Sequence, residues 1–164
     1  MATYNKIEDF PAWLLKGQVN VAAAGDTLKC FLMAAAQSPS VDDLEYINSA
    51  TPGANQLTDA TITNQDGYTL TGEDIQNDMA ETGAGTGVWA CTAVDVVWTA
   101  TATGTIGAFQ YVGVYDDSLA TTGGDYVDDG MICWWDYGST LSISNSSTFT
   151  VDFTNNRLFT ISAA

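Results

Sequence analysis

The chain has 164 residues, 46% of them hydrophobic, and a formal net charge of −16 from four Lys or Arg and 20 Asp or Glu. This length and hydrophobic content favour a single domain over residues 1–164 with its own core, and argue against disorder. The charge argues against nucleic-acid binding, because that affinity comes largely from cations that neutralise phosphates. No apolar run reaches the roughly 20 residues that span a bilayer, so we expect no membrane contact.

The first predicted element is an N-terminal helical segment, residues 1–17, with the helix itself over residues 5–17. Asp9 is suited to the N-cap, Pro11 falls in the first turn, and Gly17 can end the helix in a left-handed conformation. The apolar residues of this helix share one face: Ile7, Phe10, Trp13 and Leu14. That face either docks on the rest of the domain or anchors the protein to a partner.

The middle of the chain predicts strands at residues 26–36, 57–65, 68–79, 88–98 and 106–115. Asp66-Gly67 is a strong hairpin signal between the second and third of these. In the fourth, one face is predicted to carry Val88, Ala90, Val94, Val96 and Trp98. The fifth is apolar on both faces, so both must be covered. The core covers one, and the N-terminal helix or another subunit covers the other.

The last third predicts strands at residues 131–137, 140–144, 148–153 and 157–161. In the third of these, Phe149, Val151 and Phe153 alternate with Thr148, Thr150 and Asp152, which is typical of a half-buried strand. The alternation of helices and strands that marks parallel folds is absent. The sequence therefore predicts a mainly β protein, an antiparallel β-sandwich of jelly-roll type with a short N-terminal helix.

Residues that could carry chemistry are few. The chain has no histidine, which excludes Ser-His-Asp and Cys-His catalysis. Cys30, Cys91 and Cys133 stand too far apart to predict a zinc site, and buried reduced thiols are expected instead. We therefore predict no enzyme, no cofactor and no metal site.

Three other readings of the acidic and aromatic residues stay open. Trp134, Trp135 and Tyr137 could form a carbohydrate-binding surface, and with paired carboxylates they could form a glycosidase cleft. The Asp-rich loop from Asp116 to Asp129 could bind calcium through its oxygen ligands, or it is simply a solvated loop.

The distribution of cations is unusual. They occur only at Lys6, Lys16, Lys29 and Arg157, while 17 of the 20 carboxylates lie between residues 30 and 156. This layout would orient the molecule on a charged partner surface. We predict that the N-terminal segment lies at a protein–protein contact, with Tyr4, Phe10 and Trp13 as its aromatic anchors. Deleting residues 1–8 should then weaken partner binding.

Several stretches in order carry a family resemblance: MATYNK at 1–6, Phe10, DTLK at 26–29, DGYT at 66–69 with Gly72, WTA at 98–100, IGAFQYVGVY at 106–115, WWDYG at 134–138 and FTVDF at 149–153. In these the chain resembles small structural proteins of tailed-bacteriophage virions, of the capsid decoration or cement type. The family pattern has a basic residue near the position of Gln110. Its absence here means that a charge pair at that position is not carried over.

The resemblance implies a protein made in the host cytoplasm that binds the head shell at the capsid surface of the virion and stabilises it. Its expected partner is the major capsid protein, and a closed homo-oligomer is expected because symmetric shells present repeated sites. The resemblance implies no catalytic residues. The alternatives are a head–tail connector or tail component and, from a different class, a carbohydrate-binding module.

Overall fold

In this computed structural model, the structure describes residues 2–39, 66–69, 71–118 and 130–162. Those residues contain one α-helix, α1 (Phe10–Leu15), two short 3₁₀ helices (Ala35–Gln37 and Thr154–Asn156) and ten strands. The strands are β1 (Thr3–Lys6), β2 (Leu28–Met33), β3 (Glu73–Asp74), β4 (Asp78–Glu81), β5 (Val88–Thr92), β6 (Val96–Thr99), β7 (Thr105–Asp116), β8 (Met131–Ser144), β9 (Thr148–Val151) and β10 (Arg157–Ser162).

The strands form three antiparallel sheets. The largest has the order β1-β8-β7-β2-β3, the second has the order β10-β5-β4, and β6 pairs with β9 in the third. Each of the described strand pairs is antiparallel. The prediction of a mainly β protein with antiparallel sheets is therefore confirmed.

One core joins the three sheets. Phe109 of β7 meets Phe149 of β9 edge to face at 5.0 Å between ring centroids. Phe149 also stacks on Trp98 of β6, at 6.4 Å. Trp135 of β8 meets Phe153 just beyond β9 at 5.9 Å. Buried residues of all three sheets belong to a single hydrophobic cluster.

The second half of strand β7 is covered on both faces, as its apolar pattern predicts, whereas Ala108 in the first half is exposed. Every residue from 111 to 116 is buried. On one face Gly113 leaves room for the ring of Phe31, which would lie 2.5 Å from an added Cβ. Beyond it the Tyr115 hydroxyl donates to the carbonyl of Thr71 at 3.0 Å. The face of β7 that carries Gly113 and Tyr115 is therefore covered by β2 and by residues just before β3. Neither the N-terminal helix nor another subunit is needed to cover it there.

The N-terminal segment departs from the prediction of a helix over residues 5–17. Thr3–Lys6 is a strand, because its backbone pairs with residues 133–136 of β8. The helix α1 has only six residues, and the Asp9 side chain makes no capping hydrogen bond. Its end is as predicted: Gly17 has a φ of +66°, and the N–H groups of Gly17 and Gln18 donate to the carbonyls of Leu14 and Trp13. This is a Schellman motif.

The predicted strand at residues 88–98 is wrong as a single element. It is divided into β5 and β6, which belong to different sheets. Between them the N–H of Ala93 donates to the carbonyl of Asn156 and that of Val94 donates to the carbonyl of Ile75. These long-range bonds turn the backbone, and Val94 is 38% exposed rather than on the buried face.

The two strands predicted at residues 131–137 and 140–144 form one strand, β8. Tyr111 of β7 pairs with Asp136, whereas Phe109 pairs with Leu141, so β8 accommodates extra residues between them. Gly138 lies in this bulge with a φ of +73°. Glycine adopts this conformation without the steric cost of a Cβ, which lets the strand continue past an apparent breaker.

The alternation predicted at residues 148–153 is confirmed. Val151 and Phe153 are buried, Phe149 is half-buried, and the three polar residues between them are exposed. Asp66-Gly67 lies in a turn, but the strand predicted before it, residues 57–65, lies outside the described residues.

Gly72 and Gly85 have nearly the same positive φ, so a comparison of the two separates the cost of a left-handed backbone from the cost of steric crowding. Gly72 has a φ of +78° and an added Cβ there would overlap the carbonyl oxygen of Cys30, whereas Gly85 has a φ of +72° and an added Cβ would meet open space. We expect Gly85→Ala to lower the free energy of unfolding by about 1 kcal/mol, the cost of a left-handed alanine. Gly72→Ala should lower the free energy of unfolding by a further 1–3 kcal/mol or more, roughly the cost of overpacking. Urea unfolding measures both, and equal losses would contradict the crowding at Gly72.

Candidate protein interaction surface

An apolar groove of about 560 Å³ lies between β1, α1 and β10. Phe10, Leu158 and Phe159, which are buried or half-buried, line its inner part. Tyr4, Leu15 and Ile161 also line it and are 42%, 90% and 45% exposed. The groove thus combines an apolar floor with an exposed apolar rim. We call the three exposed residues the rim residues: Tyr4, Leu15 and Ile161.

The rim continues onto the sheet beside it. Ile161 of β10 pairs directly with Trp89 of β5, so the two side chains share one face of the sheet. Trp89 is 47% exposed. Scattered exposed apolar residues are ordinary, but a contiguous exposed apolar patch is typical of an interaction site.

The structure separates the three residues predicted at the N-terminal contact. Phe10 and Trp13 are only 2% and 1% exposed, and the Phe10 ring lies edge to face on Phe159 at 5.1 Å. These two side chains dock α1 on the domain, which is the first of the two interpretations given to the helix face. Tyr4 alone of the three presents a large surface to solvent.

Contacts with residues of β8 fix the position of the Tyr4 side chain. Its ring lies 5.3 Å from that of Trp135, and its hydroxyl interacts with the buried thiol of Cys133. Burial of the hydroxyl raises the pKa of Tyr4 above its ordinary value, so the side chain stays neutral. An aromatic ring that is fixed before binding loses little conformational entropy on binding, which suits an interface anchor.

Two of the four cations, Lys6 and Arg157, lie at this groove or beside it. Lys6 lines the groove, while the third cation, Lys16, follows the rim residue Leu15 in the sequence and is not among the lining residues. Arg157 lines an adjoining hollow of about 220 Å³ together with Tyr4, Leu158 and Asp152. The fourth cation, Lys29, lies 2.6 Å from Asp117 in an ion pair. The fold therefore brings together positive charges from both ends of the chain, beside apolar residues that also come from both ends.

The other candidate sites are not assembled in the described residues. Trp134 is 4% exposed, while Trp135 on the opposite face contacts Tyr4 and Phe153 and Tyr137 contacts Phe149. The three rings therefore do not form a flat sugar-binding platform. At the position where the family resemblance would place a basic residue, the Gln110 amide donates to Asp136 at 3.1 Å.

The carboxylates and the three cysteines are the remaining candidates for metal or thiol chemistry. Within the described ranges no group of three or more His, Cys, Asp or Glu could hold a metal ion. Of the acidic loop, Asp125, Asp128 and Asp129 lie outside those ranges. Cys30, Cys91 and Cys133 are free and buried, as predicted. Burial raises the pKa of Cys91 to about 12 and raises that of the other two well above the ordinary thiol value.

The chain matches no protein-family model, no curated protein and no solved structure. The described part of the chain contains no helix of the length and apolar character needed to cross a membrane.

The raised thiol pKa values predict how stability changes with pH. In the unfolded chain the Cys91 thiol ionises near its ordinary pKa of 9.0, whereas the folded protein retains the proton up to about pH 12. The free energy of unfolding should thus be independent of this group below pH 9 and should fall above it, by about 1 kcal/mol per pH unit. Urea unfolding across this range, compared with Cys91→Ala, isolates the contribution. An identical slope in the variant would show that Cys91 is not the cause.

Proposed function

We propose that this protein is a non-catalytic structural component of a tailed-phage virion that binds the assembled head shell and stabilises it. The observation that carries the proposal is the groove, with its exposed rim of Tyr4, Leu15 and Ile161, with Lys6 in its lining and with Arg157 in the hollow beside it. The ordered resemblance to capsid decoration proteins supplies the class of partner. We infer that the major capsid protein is that partner and that the protein is displayed on the capsid surface.

The two properties of the surface have different roles in this binding. Burial of the rim residues supplies affinity, at roughly 25 cal/mol per Å² of apolar surface before the costs of association. The neighbouring cations orient the approach, since the rest of this strongly acidic chain is repelled by acidic surfaces. A molecule of this kind would meet the shell with its groove and present its acidic body outward.

We further propose that the sheets stack as a sandwich of jelly-roll type and that the protein binds as a small closed homo-oligomer. A stable β domain with one adhesive face suits a shell with repeated sites, because each site then receives the same contact. The shared core of the three sheets supports the sandwich arrangement.

Aspartate substitutions of rim residues test whether this surface binds the head shell. Leu15→Asp and Ile161→Asp should each raise the Kd for expanded capsids that lack the protein by at least about tenfold, because each puts a carboxylate into a desolvated contact. Val97→Asp is the matched control, since Val97 is 54% exposed on β6 and does not line the groove. Cosedimentation of purified protein with such capsids measures the affinity.

Three results separate the possibilities. Equal binding by all three variants would remove the groove from the contact. Wild-type protein that binds tails or baseplates but not capsids would favour the connector or tail alternative. Point variants are preferable to deletion of residues 1–8, since that deletion removes β1 and uncovers the pairing edge of β8.

A further inference from the structure

Both long walls of the groove are edge strands. β1 pairs only with β8, and β10 pairs only with β5, among the described strands. Tyr4 and Lys6 come from one edge, and Thr160 and Ile161 come from the other. An unpaired edge carries backbone donors and acceptors that can bind another extended chain.

The direction of these backbone groups follows from the alternation of antiparallel hydrogen bonds. The N–H of Thr82 donates to the carbonyl of Val88, so in β5 the backbone groups of Ala90 point toward β4 and those of Trp89 point toward β10. Trp89 pairs with Ile161. The N–H and C=O of the neighbouring residue, Thr160, therefore point away from β5, at the open edge.

The same argument applies to β1. The N–H of Ile7 donates to the carbonyl of Ile132 at 3.0 Å, so the backbone groups of Lys6 and Tyr4, one and three residues earlier, point away from β8. Backbone groups of both strands that have no partner among the described residues thus border an apolar groove. This combination is what strand addition requires, because main-chain bonds supply affinity and side-chain pockets supply selectivity.

The charges indicate what kind of segment fits. Lys6 lies on one wall, and Arg157 begins the strand that forms the other wall. Lys6 is the charged residue among the described residues that line the groove, and none of these is a carboxylate. Asp152 lies with Arg157 in the adjoining hollow. A segment with alternating apolar and acidic side chains would place its apolar side chains on Leu158 and Phe159 and its carboxylates near the cations.

We propose that the groove binds an extended, acidic segment of the shell protein, which adds as a strand to the open edge of β10 at Thr160. The inference rests on the proposed function for the source of the segment. The class of ligand rests on the two edges, the apolar floor and the charges. Lys6 and Tyr4 on the opposite wall hold the segment in place.

The first test uses a peptide probe and the intact protein. A ten-residue peptide of alternating valine and glutamate should shift the amide NMR signals of Thr160 and Ser162, while one of alternating valine and lysine should not. Thr160→Pro removes the N–H at the open edge and leaves the β5 pairing intact. It should weaken binding of the acidic peptide about tenfold, the upper range for one lost hydrogen bond. Thr160→Val keeps the N–H and should bind as wild type does.

The NMR measurement on the wild type needs no variant, so it remains decisive if Thr160→Pro fails to fold. Shifts confined to other surfaces, or equal response to both peptides, would overturn the proposal. Self-association of the wild type that is lost in Thr160→Pro, without peptide binding, would overturn it in favour of a second copy as the occupant.

The second test uses capsids and keeps this inference separate from the proposed function. Loss of capsid binding in both Thr160→Pro and Leu15→Asp, with Thr160→Val unaffected, is the expected result. Loss in Leu15→Asp alone would overturn strand addition and leave shell binding in place. Absence of wild-type capsid binding, despite binding of the acidic peptide, would overturn the assignment of the segment to the shell protein.

Discussion

The pairing of β7 with β8 is the interaction on which the rest of the structure depends. These strands, of 12 and 14 residues, are the longest in the described part of the chain. Their outer edges are occupied by β2 and β1. Because β1 must lie against residues 133–136 of β8, the N-terminus is held in one place, and the helix that follows it packs on Phe159 of β10. The groove is a consequence of that placement.

The second constraint is electrostatic. A chain with 20 carboxylates and four cations has strong internal repulsion, which favours solubility but limits where a copy or an acidic partner can approach. Lys29 is paired with Asp117, whereas Lys6 lines the groove and Arg157 lines the hollow beside it. The acidic composition and the local positive charge therefore act together, because the first disfavours contacts over most of the surface and the second favours them at the groove.

Residue patterns predicted the interior well where burial is periodic. The strand at residues 106–115 had to be covered on both faces, and the alternation at residues 148–153 placed Val151 and Phe153 inside. The residue patterns gave wrong predictions where backbone hydrogen bonds between distant residues overrode the local conformational preference. Residues 3–6 have no strong strand pattern and are extended because β8 pairs with them. The run at residues 88–98 alternates with one interruption, at Thr92, yet the bonds from Ala93 and Val94 divide it between two sheets.

The sequence by itself determined the class of fold, the buried thiols, the left-handed end of the helix at Gly17 and the confinement of cations to the ends of the chain. These depend on composition and on neighbours along the chain. Only the tertiary structure decided that Phe10 and Trp13 are interior residues, that Leu15 and Ile161 share a rim, and that Lys6 and Arg157 lie near the same aromatic ring. Those facts depend on which strands pair, and the partners are distant along the chain: in the pairing of β1 with β8 they are more than a hundred positions apart.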